Sequence, residues 1–80
     1  MSNELRVITE IAKGKVVITE NSQYNKLAAD YVTVCEGVSV RLYGTIQYDL
    51  IIKKDARVFL HGEIKGKVSN EGGNLTVFNA

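Results

Sequence analysis

Proline and tryptophan are absent from this 80-residue chain, and cysteine, histidine and methionine occur once each. Without proline every residue can donate its N–H, which suits a fold whose strands are paired on both sides. The single cysteine, Cys35, excludes an internal disulfide and agrees with a reducing compartment. The single histidine, His61, makes a metal site only with Cys, Asp or Glu beside it, and the nearest acid, Glu63, lies two residues on across Gly62. No metal site is expected. Charge of one sign is also missing: ten basic and nine acidic residues leave a net +1. That balance gives no strong pull toward nucleic acid or an anionic membrane surface, so neither is expected as a partner. No apolar run approaches the roughly 20 residues of a membrane span. The start, Met1-Ser2-Asn3-Glu4-Leu5-Arg6, lacks the basic and then apolar order of a signal peptide. The expected location is the cytoplasm.

Apolar residues make up 45% of the chain, which is ordinary for a globular domain and argues against disorder. The length points to one small domain over residues 1–80, near the size at which a core supplies only a few kcal/mol of net stability. Association with itself or a partner would add to that.

The second half repeats itself. On an 18-residue step, Val32, Val34, Val38, Val40, Leu42, Gly44 and Ile46 fall on Leu50, Ile52, Ala56, Val58, Leu60, Gly62 and Ile64. Apolar meets apolar and glycine meets glycine. The third copy matches at a step of 17, with Ala56–Gly62 falling on Gly73–Asn79, as if one residue had been lost from the intervening turn. A step of this size is too short for a helical repeat or a propeller blade, and fits one coil of a β-solenoid that buries its inward side chains against the next.

Residues 32–80 therefore read as regular rungs and residues 1–31 as an irregular first rung or cap. From Glu4 to Lys13 the alternation of Leu5, Val7, Thr9 and Ile11 suits a strand, although Leu5, Ile8, Ile11 and Ala12 would also line a short helix; strand is the preferred reading. Val16–Thr19 reads as a short strand, Asn21–Lys26 as a polar loop, and Leu27–Tyr31 as a closing segment whose alanines would allow one helical turn. Beyond Tyr31 the spacing predicts strands of three to five residues, separated at Glu36-Gly37, Gly44, Lys54-Asp55, Gly62, Gly66 and Gly72-Gly73.

The stretch Asp55–Leu75 combines an alternating strand, the corner Gly62-Glu63-Ile64-Lys65-Gly66-Lys67-Val68 and the turn Asn70-Glu71-Gly72-Gly73. It resembles the bactofilin family of polymer-forming bacterial proteins and related short bacterial β-solenoids, over roughly the last 50 residues. The resemblance implies an all-β fold, a short right-handed parallel β-helix, here of about three to four rungs of 17–18 residues. It also implies no enzyme activity, no cofactor, and self-assembly by end-to-end stacking. Full bactofilin domains carry more rungs and polar tails, whereas three clear rungs and an irregular N-terminal part are visible here.

Nothing in the chain assembles a catalytic constellation. Cys35 has only His61 as a conceivable base and no third residue to orient it. Ser39 and Ser69 lack a Gly-x-Ser-x-Gly setting, and Gly62–Lys67 has the wrong spacing for a phosphate loop. Interface residues are easier to nominate. Arg41, Tyr43, Phe59 and His61 alternate with inward Val40, Leu42, Val58 and Leu60, so stacking sets Arg41 beside Phe59 and Tyr43 beside His61. Leu75, Val77 and Phe78 lie on the last strand, whose edge reads as apolar and uncapped, open to self-association or strand addition. The expectation is a bacterial, non-catalytic module that binds itself and acts as a scaffold. The alternative is a small immunity protein that occludes the active site of a bacterial toxin.

Overall fold

A computed structural model describes residues 6–78, which form six strands and no helix. They are β1 (Arg6–Ile18), β2 (Ser22–Val34), β3 (Ser39–Ile52), β4 (Arg57–Ile64), β5 (Lys67–Asn70) and β6 (Asn74–Phe78). Every pairing is parallel, in the order β1-β2-β3-β4-β6, with β5 pairing β3 further along its length. Parallel neighbours in sequence order, each joined by a turn of a few residues, are the coils of a β-solenoid of about four turns. Its step is that of the repeat: Val40 pairs Val58, Leu42 pairs Leu60 and Ile46 pairs Ile64 at 18 residues, and Val58 pairs Leu75 at 17.

Alternation places like on like along the solenoid axis. Val32 lies over Leu50, Val34 over Ile52, and Leu42 over Leu60, and all six side chains are fully buried. Each aliphatic residue so enclosed contributes about 1.5–3 kcal/mol of transfer free energy. The core they make runs from Ile18 to Leu60, with Ile64 and Leu75 packed at its C-terminal end.

The strands differ from the sequence expectation in three ways, two of them in the N-terminal third. Glu4–Lys13 is strand where described, but its half-buried residues are Ile8 and Ala12, while Val7 and Ile11 are exposed; Leu5 lies outside the described residues. Of Asn21–Lys26, expected as a loop, only Asn21 lies outside a strand: Ser22–Lys26 is the start of β2, and Leu27–Tyr31 continues that strand with no helical turn. Polar residues hold the turn that precedes it. The Ser22 hydroxyl donates to the Glu20 carbonyl at 2.6 Å, and the Asn21 Oδ1 accepts from the Ser39 N–H at 2.9 Å. Third, the strands are not broken at Gly44 or Gly62: β3 runs unbroken for 14 residues through the first corner and β4 for 8 residues through the second.

Glycine is required where they bend. Gly44 and Gly62, at φ +148° and +155°, pair with each other, and a methyl group on either would overlap the backbone of the coil before it, at Leu27 and Gly44 respectively. The Asn70 turn is closed differently: its Oδ1 accepts from the N–H of Gly72 at 3.0 Å and of Gly73 at 2.7 Å, and its Nδ2 donates to the Gly73 carbonyl.

Gly44→Ala is expected to destabilise the fold by about 3 kcal/mol, overlap and backbone strain together, measured by denaturant unfolding. Gly14→Ala, at φ +72° with open space around it, should cost only about 1 kcal/mol.

Candidate functional site

Outward side chains on the first strand of each coil form two columns. Arg41 lies beside Phe59, with Gln23 before and Thr76 after. The neighbouring column is Tyr43, His61 and Phe78. The ring centroids of Tyr43 and His61 are 4.5 Å apart at 8°, and those of His61 and Phe78 are 4.4 Å apart at 6°. Free aromatic pairs favour offset or edge-to-face arrangements. The near-parallel stack is imposed here by the backbone, because successive coils repeat at roughly 4.8 Å and the register matches all three rings. Arg41, Tyr43, Phe59, His61 and Phe78 line one open groove of about 370 Å³.

The sequence-predicted residues thus come together on one flank, except Leu75 and Val77. Those two point inward on β6, where Leu75 is half-buried and Val77 is 42% exposed. Phe78, on the same strand, belongs to flank and end alike. Arg57, which shares the parity of Phe59 and His61 and pairs Asn74, was overlooked in the sequence, although two-residue spacing places it on this flank.

Exposed apolar residues gather elsewhere too. Val7, Ile11 and Val17 are exposed on β1, and Val68, Val77 and Phe78 on the strands of the opposite end. Between the ends only Tyr31 and Tyr48 are exposed large apolar residues, and they tilt against each other at 5.5 Å. The β1 set was missed because the repeat does not extend there at an 18-residue step. A second groove of about 290 Å³ at that end is lined by Arg6, Ile8, Val17, Thr19, Glu20, Ser22 and Tyr24. An exposed Arg6–Glu20 ion pair at 3.6 Å spans it. Burial pushes the Tyr24 hydroxyl above its ordinary pKa, the Arg6 charge opposing and the Glu20 charge adding, so it stays neutral near pH 7.

Cys35 is half-buried at the corner after β2, whereas His61 is stacked within the ladder. Gly62–Lys67 carries the chain from β4 to β5, with Gly62 packed on Gly44. Among the described residues no group of three or more His, Cys, Asp or Glu side chains could hold a metal ion, and no helix is long and apolar enough to cross a membrane. No protein-family model, curated protein or solved structure matches this chain.

Sandwiched between two rings, the His61 carbon-bound protons should resonate upfield of ordinary imidazole values. Tyr43→Ala and Phe78→Ala should each move them downfield and cost about 1 kcal/mol of stability; unchanged His61 shifts in both variants would contradict the stack.

Proposed function

We propose that the chain is a non-catalytic protein-interaction module of bactofilin-like type, which associates with itself through its solenoid ends and serves as a scaffold. The observation that carries this reading is the state of β6. Asn74–Phe78 holds no charged residue, Val77 and Phe78 are more than 40% exposed, and among the described residues only β4 pairs with it. A neutral apolar strand with a free edge is a template for another strand. The far end is less inviting, since β1 carries Arg6, Glu10, Lys13 and Lys15, all exposed. Charged residues along an edge strand disfavour pairing. The resemblance of Asp55–Leu75 to bactofilins, whose solenoids assemble end to end, points the same way. The free thiol of Cys35 suits the reducing interior of a bacterial cell.

Light scattering after size exclusion, over a range of loading concentrations, tests this. The 80-residue chain should grow in mass with concentration. Val77→Asp should keep its far-ultraviolet circular dichroism and shift the association midpoint at least about tenfold, because a carboxylate in place of the isopropyl group no longer favours leaving water. A monomer at every concentration would sink self-association and favour the toxin-inhibitor reading.

A further inference from the structure

The flank that bears the ring ladder has a charge pattern that end-to-end association does not use. Its strand segments are Ser22–Asn25, Ser39–Tyr43, Arg57–His61 and Asn74–Phe78, and none contains an aspartate or glutamate. Two arginines do lie there. Arg41 lines the groove and Arg57 begins β4, both exposed, and neither makes an ion pair among the described residues, whose ion pairs are Arg6–Glu20 and Lys53–Glu71. The acids sit at other places on the coils. Glu20, Glu36, Asp55 and Glu71 all fall in the turns that precede these segments, Asp30 and Asp49 lie on the later parts of β2 and β3, and Glu63 lies beyond the Gly62 corner. The exception is Glu10 on β1, beside Ser22–Asn25 and two coils from Arg41.

We infer that this flank is a docking site for an acidic, extended peptide segment of a partner protein. The carboxylates would meet Arg41 and Arg57, and an aromatic or aliphatic side chain would rest in the groove among Phe59, His61 and Phe78. Charge complementarity decides the sign of the partner: a planar guanidinium without a carboxylate of its own is matched by one supplied from outside. Shape decides its form. A groove open along its length encloses too little of a small molecule to hold it, since such ligands are normally buried over most of their surface. An extended chain laid across β2, β3, β4 and β6 covers three spacings of about 4.8 Å, which is roughly four residues at about 3.3 Å each. The rings decide against single-stranded nucleic acid. His61 has both faces covered by Tyr43 and Phe78, and each of those two spends one face on it, so at most the outer face of Phe78 is left as a platform, fewer than the run of successive stacked bases that such binding uses.

Titration of the isotope-labelled chain with the acetylated tetrapeptide Glu-Phe-Asp-Phe, followed by amide and side-chain chemical shifts, tests the inference. The expected result is a saturable response confined to outward residues of β3, β4 and β6, weakened about threefold in Arg41→Gln and again in Arg57→Gln. The variants' spectra should stay as dispersed as that of the parent chain. The uncharged analogue Gln-Phe-Asn-Phe and the basic Lys-Phe-Lys-Phe should bind more weakly still. No saturable response, a response elsewhere on the solenoid, or equal responses to the acidic, neutral and basic peptides would overturn it. Phe78 is shared with the β6 edge whereas Arg41 and Arg57 lie on β3 and β4, so the titration is repeated on Val77→Asp: peptide binding kept while self-association is lost supports a docking site separate from the ends, and loss of both overturns it.

Discussion

Each coil must lie within hydrogen-bonding distance of the next along nearly its whole length, and the rest of the structure follows from that spacing. Strands about 4.8 Å apart in parallel register put every side chain directly over its counterpart. Inside, this gives columns such as Val34–Ile52 and Leu42–Leu60, in which a shape that suits one coil suits the next. At the corner it leaves no room for a side chain, so Gly62 rests on Gly44 and Gly44 on the Leu27 backbone. A substitution there does not merely strain one residue. It pushes two coils apart, and the columns on either side separate with them.

The same spacing organises the outside. Tyr43, His61 and Phe78 stack nearly parallel because the backbone delivers them at that distance, not because three rings would choose it. Once stacked they form a stiff wall for the groove, with Arg41 and Phe59 as the other side. A small domain gains in two ways: the ladder joins three coils beyond their hydrogen bonds, and it holds the flank in one shape. The ends have the opposite character. There the pairing pattern runs out, inward residues such as Val77 become accessible, and aliphatic surface accumulates that the middle of the molecule, with only Tyr31 and Tyr48 exposed among its described large apolar residues, does not show.

Sequence spacing was informative where the step is constant. The 18-residue step between Val32 and Ile64, and the 17-residue step to Leu75, are the pairings of β2 with β3, β3 with β4, and β4 with β6. The juxtaposition of Arg41 with Phe59 and of Tyr43 with His61 follows from the same arithmetic. The N-terminal third was not legible in this way. β1 pairs β2 at a step of 16, slipping to 15 between two irregularities, so no single shift lines up its residues. Its inward column also holds Ser22 and Tyr24 where the later coils have Val40 and Leu42, which hides the apolar pattern. A polar run such as Ser22–Lys26 therefore resembles a loop although it is a strand held by its neighbours.

The sequence by itself determined the step of the coil, the face of each strand from Val32 onward, and the glycine corner, because those are local periodicities enforced by one repeated distance. Tertiary structure alone decided that residues 6–31 join the same stack and do not merely cap it, since a strand of mixed polarity becomes a strand by pairing and not by propensity. It also decided that the flank segments of β2, β3, β4 and β6 hold no acid and that apolar surface collects at both ends. Those properties belong to the order in which coils are laid down, which no single coil contains.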